Sequence, residues 1–192
     1  MKVETNAKDI QSYIDSAGKQ LPFALSKAIN STAERIREAT LKGATETLNI
    51  RGNWWKPRTK YGFNVKASTK SNQSAEIYTR ADWMVMHEDG GIKTAKGLIA
   101  IPTIDVKRNK KDIITKGNRP RSVVGAFKGK TKEGQEFIAK RVRGKLVILY
   151  WLEKQAKIKG VYKFHDIAKE TFDKHFDNDF RDAIDYALRT AK

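Results

Sequence analysis

The densest grouping of reactive side chains in the sequence is His87-Glu88-Asp89, an imidazole and two carboxylates set immediately before Gly90-Gly91. Metal chemistry needs three or four ligands converging on one point. Adjacent residues on a strand point to opposite faces, and no second histidine follows at HExxH spacing. The cluster reads as a turn anchor. A second grouping, His165-Asp166 with Asp173 and His175, spreads its two histidines over ten residues, with a segment boundary expected between them. These read as solvent-facing side chains near the start of a helix. Gly129-Lys130-Thr131 has the last residues of a phosphate-binding loop, but the glycine four residues upstream is Gly125 and no strand-to-helix context surrounds it. It reads as a hairpin turn. With three histidines, no cysteine and no serine-nucleophile elbow, the sequence predicts no catalytic residue, no metal ligand and no cofactor. The expected protein is not an enzyme.

What the chain does hold is charge. Its 192 residues carry 39 Lys plus Arg against 22 Asp plus Glu, a formal +17. Residues 93–163 alone carry twenty basic and five acidic side chains, net +15, whereas residues 1–49, 50–92 and 164–192 are net +1, +3 and −2. Lys107, Arg108, Lys110, Lys111, Lys116, Arg119 and Arg121 crowd into fifteen positions with Asp112 opposing them. Such a run repels itself, which predicts an extended or mobile segment that orders against something acidic. That partner is either DNA or an acidic face of a neighbouring protein; a solvated lysine-rich surface is the plain alternative. Lysine outnumbers arginine 27 to 12, which favours a diffuse field over bidentate base readout, so any nucleic-acid contact is expected to ignore sequence.

Aromatic residues are interleaved with cations at Trp54, Trp55, Lys56, Arg58, Lys60 and Tyr61. Three readings fit this loop. The rings could stack on the bases of a single strand, anchor a protein interface, or pack within the loop itself.

The elements around these groups follow from periodicity. Leu25, Ala28, Ile29, Thr32, Ala33, Ile36, Thr40, Ala44, Thr47 and Leu48 recur at three- and four-residue steps, which predicts a helix over 21–48 with Pro22 in its first turn. Its small-residue stripe predicts close packing on a sheet or another helix. A shorter helix over 9–17 is expected to break at Gly18. Short strands are expected at 63–67, 75–79, 98–102, 123–127, 136–142 and 146–152, with 81–87 either strand or helix. The 146–152 strand is the most apolar and should be central and buried on both faces. Residues 103–121 read as a basic loop or projecting arm. Residues 173–191 read as a closing helix. Runs of strands between terminal helices predict an α+β fold, the two helices packed on an antiparallel twisted sheet. At this length one domain is expected over 1–192, with 1–20 as an N-terminal extension. The longest apolar run, Leu146 to Leu152, is too short to cross a bilayer, and Met1 to Gln20 lacks a signal-peptide core. A soluble protein made inside the cell is expected.

The order of these segments resembles the tailed-phage minor tail proteins of the Z type, the tail completion proteins. The residues that carry the resemblance are Leu21 to Ala33, the Trp-Lys-Pro-Arg-Thr loop at 55–59, and the strand leading into His87-Glu88-Asp89-Gly90-Gly91. Leu98-Ile99-Ala100-Ile101-Pro102 and Leu149-Tyr150-Trp151-Leu152 before a terminal helix complete the series. The resemblance implies a structural virion protein at the head-proximal end of a phage tail, made in the host cytoplasm. It implies a ring of copies, a hexamer being one arrangement, that contacts a tail terminator or connector and no membrane. In such a ring the seven cations of the basic segment would face genomic DNA in the lumen, and Trp54, Trp55, Lys56, Arg58 and Tyr61 would face neighbours. A heterologous contact is needed to close it. Two alternatives stand beside it: a non-specific nucleic-acid-binding protein of phage origin and, more distantly, a phage-encoded nuclease.

Overall fold

The computed structural model describes residues 7–50 and 52–190, with side chains from residue 18 onward. Residues 1–6 of the expected extension, Arg51 at the head of the aromatic loop and Ala191 at the chain's end lie outside the described residues. The fold is α+β. Two compact units divide the chain, one formed by residues 1–46, 52–82 and 163–192, the other by 47–51 and 83–162.

The first unit is built on two helices. Helix α1 runs from Ala7 to Thr47 and passes straight through Gly18 and Pro22, so the expected break at Gly18 and the expected helix start at Leu21, with Pro22 in the first turn, are both corrected. A glycine costs about 1 kcal/mol and an interior proline about 3 kcal/mol in a helix. The seam that follows outweighs them: Ala24, Ala28, Thr32, Ala33, Ile36, Thr40 and Ala44 are all buried. A two-stranded antiparallel hairpin, β1 (Asn64–Lys66) and β2 (Glu76–Tyr78), belongs to the same unit. Asn30 ties it to α1 by accepting from the Ser68 backbone N–H at 2.7 Å and donating to the Ser68 carbonyl at 3.0 Å.

In the second unit a single helical turn, α2 (Val85–Glu88), leads into β3 (Gly91–Pro102). Strands β4 (Ala126–Lys130), β5 (Glu136–Val142) and β6 (Lys145–Ile158) complete a four-stranded antiparallel sheet of order β3-β6-β5-β4. Three boundaries are corrected. β3 starts seven residues before the expected Leu98, β4 starts at Ala126 rather than Val123, and β6 continues six residues past Leu152. The first and last of these extra stretches pair with each other as an exposed ribbon, where no apolar alternation is required.

β6 is central, between β3 and β5. Its register against β5 slips by one residue: Ile138 faces Tyr150, Ala139 faces Ile148, and Leu149 is the extra residue. That bulge lets the consecutive Leu149 and Tyr150 enter one buried cluster with Val106, Ile138 and Leu152. The opposite face is covered less completely. Phe137 packs edge-on against a half-buried Trp151 at 6.2 Å, and Leu146 is 49% exposed. Burial on both faces is therefore corrected to one full face and one partial face. The β5–β6 connection is a two-residue turn, Arg143-Gly144, both with positive φ as a tight hairpin requires.

The long helix α3 (Phe164–Thr190) returns the chain to the first unit, antiparallel to α1. Ala183 and Ala187 meet Ala24 and Ala28, with Phe23, Phe176, Phe180 and Ile184 around them. α3 starts nine residues before the expected Asp173 because Phe164 stacks on the buried Phe63. No boundary separates His165 from His175. Between the helices sits a buried carboxylate, Asp179, which accepts from the Thr32 hydroxyl at 2.8 Å and from Arg35 Nε at 3.2 Å.

Two stability outcomes follow. Leu149→Asp should cost about 3 kcal/mol or more in denaturant titration, whereas Lys145→Glu, on the same strand but exposed, should cost under about 1 kcal/mol. Asp179→Ala leaves the buried Thr32 hydroxyl without its acceptor and should cost about 1.5–3 kcal/mol. Combining it with Thr32→Val should cost less than the sum of the two single changes, read from a double-mutant cycle.

Candidate nucleic-acid interface

The sheet unit holds twenty basic and seven acidic side chains, net +13, whereas the helical unit holds nineteen and fifteen, net +4. The seven cations singled out in the sequence all lie on the loop between β3 and β4, and all are exposed. Of the two forms expected for residues 103–121, a basic loop or a projecting arm, the structure has the loop, which folds back on the sheet. Thr103 anchors its start, donating its backbone N–H to the Leu149 carbonyl at 2.9 Å and its hydroxyl to the Ile148 carbonyl at 2.8 Å. Val106 is buried against Leu149 and Tyr150, with Ile114 and Val123 packed beside it. The Tyr150 hydroxyl donates to the Asn118 carbonyl. A chain that must satisfy these apolar and backbone contacts is held down despite its charge.

Within the loop the cations are displayed by two small turns. Arg108 and Ile114 form an isolated antiparallel bridge, and Asn109 closes the tip by accepting from the Lys111 and Ile113 N–H groups at 2.9 and 3.0 Å. Lys110 and Lys111 ride on that tip. Asp112 is not a general neutraliser of the run. It pairs with Arg108 at 3.2 Å and accepts from Asn49 at 3.2 Å. Lys116 lies in a short 3-10 turn, Lys116–Asn118, and Arg119 follows it. Among the described residues, Lys107, Lys110, Lys111, Lys116, Arg119 and Arg121 form no ion pair.

The aromatic loop belongs to the helical unit and the seven cations to the sheet unit. It is knit to itself. Trp55 donates its indole N–H to the Gly52 carbonyl at 2.8 Å, Thr59 donates to the Trp54 carbonyl, and Asn64 receives the Arg58 N–H at 2.9 Å. Trp54, Trp55 and Tyr61 are half-buried, while Lys56 and Arg58 are exposed.

The histidine clusters do not converge. His87 is half-buried, and its carbonyl accepts both the Val161 and Tyr162 N–H groups at 2.8 Å, so the residue clamps the two chain segments that enter and leave the sheet. The close approach leaves no room for a side chain on Gly160, whose Cβ would lie 2.4 Å from the Glu88 carbonyl oxygen. His165 and His175 lie on one helix, about 15 Å apart along its axis. Among the described residues no group of three or more His, Asp or Glu could hold a metal ion. No helix among them is long and apolar enough to cross a membrane.

The chain matches no protein-family model, no curated protein and no solved structure. The functional reading therefore rests on the residues themselves.

One basic group was not singled out by sequence. Pairing of β3 with the end of β6 brings Lys93 and Lys96 beside Lys154 and Lys157, about sixty residues away in the chain, with Lys159 just beyond. Little in the sequence marks it: Lys154 interrupts the apolar alternation after Leu152, and only Ala156 and Ile158 resume it. Lys93 also acts on His87: burial first, then this ammonium, push the imidazole's pKa below its ordinary 6.5.

That shift gives a pH dependence with a definite sign. The folded chain holds His87 neutral more firmly than the unfolded chain does, so the associated stability is full above pH 6.5 and is lost as pH falls through the lowered value. His87→Gln should shrink the drop in melting temperature between pH 7.5 and pH 5. An unchanged drop in the variant would mean that the imidazole contributes nothing to it.

Proposed function

We propose that this chain is a structural virion protein at the head-proximal end of a phage tail. There it completes the tail and enables head joining and DNA positioning as a ring of copies. The observation that carries the reading is the segregation of charge: net +13 in the sheet unit, with six of the seven loop cations outside any ion pair among the described residues, on a loop fixed to the core. A subunit lining a channel for DNA needs one strongly cationic surface, indifferent to sequence, on a part that does not collapse around its cargo. The ordered series of segments that resembles the Z-type tail completion proteins supports the same role. Its partners are further copies of itself, a terminator or connector protein, and genomic DNA.

The lysine-rich character of the surface also favours a second reading, a free-standing, non-specific nucleic-acid-binding protein. Size separates the two. An assembly protein forms rings or binds tail ends, whereas a simple binder stays small and binds duplex with a steep salt slope. Genes for a connector, a terminator and a major tail protein beside this one would support the tail role; replication or recombination genes there would count against it.

The direct test replaces Lys107, Arg108, Lys110 and Lys111 by glutamine, purifies the tails and measures joining to filled heads in vitro. The loop is anchored through Thr103, Val106 and Tyr150, so the variant should fold and assemble normally but join severalfold less well. Joining at the wild-type level would reduce the segment to a solvated surface.

A further inference from the structure

The β3–β6 pair outruns the rest of the sheet. β5 accompanies β6 only as far as Leu152, so the four rungs from Gly91–Ile158 to Thr94–Gln155 form a two-stranded ribbon without a third strand. It is exposed over residues 91–98, with Ile92 60% exposed. Residues 91–98 and 154–159 contain five lysines, Lys93, Lys96, Lys154, Lys157 and Lys159, and no acidic residue. None of the five forms an ion pair among the described residues. The register places Ile92 opposite Lys157 and Thr94 opposite Gln155 on one face, and Lys93 opposite Ala156 on the other.

We propose that this ribbon is a binding site for duplex DNA, distinct from the β3–β4 loop. The major groove, about 12 Å wide, admits a two-stranded ribbon, and four rungs measure about 10–13 Å along the strand. Lys157 lies on the Ile92 face and Lys93 on the other, and from either face a long lysine stem can splay past the ribbon's edge to the phosphates that border one groove. The Ile92 face itself offers Thr94 and Gln155 as polar groups and Ile92 as an apolar one, of the kind that meets a thymine methyl. A single strand is a poorer ligand, because it is held by stacking on aromatic rings and the ribbon has none. A protein partner is also poorer, since interface anchors are typically Trp, Tyr and Arg and these too are missing from both segments. Lysine without arginine makes the contact phosphate-directed and tolerant of sequence. The ribbon is held in shape from outside, by the clamp of His87 on Val161 and Tyr162 at one end and the four-stranded sheet at the other. The site does not depend on the tail role, since a ribbon of this kind would bind duplex in a free-standing protein as well.

The test uses the full chain and a mixed-sequence duplex of about thirty base pairs, with affinity followed by fluorescence anisotropy across a salt series. Replacing Lys93, Lys96, Lys154 and Lys157 by glutamine should weaken binding by about tenfold or more at moderate salt. It should also reduce the slope of log affinity against log salt by about three to four. The matching lysine-to-arginine variant should retain both, which separates loss of charge from damage to the fold, and the two variants should melt together. Unchanged affinity and slope in the glutamine variant would overturn the proposal. So would a wild-type chain that does not bind duplex at low salt, or that prefers the single strand or an acidic polypeptide. The outcome is independent of the joining assay: a ribbon that binds DNA in a chain that never joins heads would sink the tail role alone.

Discussion

Strand β6 carries one residue more than the stretch of β5 it pairs with, and the sheet unit depends on that insertion. A regular strand would send Leu149 and Tyr150 to opposite faces. The bulge at Leu149 instead brings both into the cluster with Val106, Ile138 and Leu152. It also frees the Leu149 carbonyl to receive both polar groups of Thr103. The Tyr150 hydroxyl reaches Asn118, fifteen residues further along the loop. One local irregularity thus supplies the core and two of the loop's fixed points. The surface that carries the densest charge is therefore tied at these points to the sheet beneath it.

The helical unit solves a different problem with different means. Its seam is made of alanines, so the helices can approach closely but gain little apolar area per residue. Specific register comes from polar groups instead. Asp179 can meet Thr32 and Arg35 at only one axial offset of α3 on α1. Ser26 and Asn30 fix the segment after β1 through Ser68 in the same way. No buried side-chain nitrogen or oxygen among the described residues is left without a partner, which is the condition under which a polar seam stabilises rather than weakens a fold.

Local pattern made some of this legible and hid the rest. The stripe from Ala28 to Ala44 was readable because burial there repeats with the helical period. Gly18 and Pro22 misled because their cost is local while the compensation lies across the chain, on α3. The start of α3 was hidden for the same reason, since Phe164 is helical in company with Phe63. The loop's seven cations were legible as a run, but its attachment was not. Val106 and Ile114 are among a few scattered apolar residues in a polar stretch, and only their meeting with the cluster of Leu149 and Tyr150 gives them weight. The ribbon lysines were invisible as a group because strand pairing, not proximity in sequence, assembles them. The candidate interface was thus half readable: the charge was on the page, its arrangement was a property of the sheet.

The arrangement of the two units has a consequence for synthesis. The sheet unit is inserted into the helical one, entering after Asp82 and leaving before Lys163. Thr32 and its acceptor Asp179 are 147 residues apart. At a translation rate of about 5–20 residues per second, α1 leaves the ribosome roughly 7–30 seconds before the carboxylate that fixes it. The sheet unit, nearly continuous in the chain, is complete at Tyr162, before Asp179 is made and about 1–3 seconds ahead of it at the same rate. Vectorial synthesis therefore completes the insert first, and the oldest part of the chain waits longest for its partner helix.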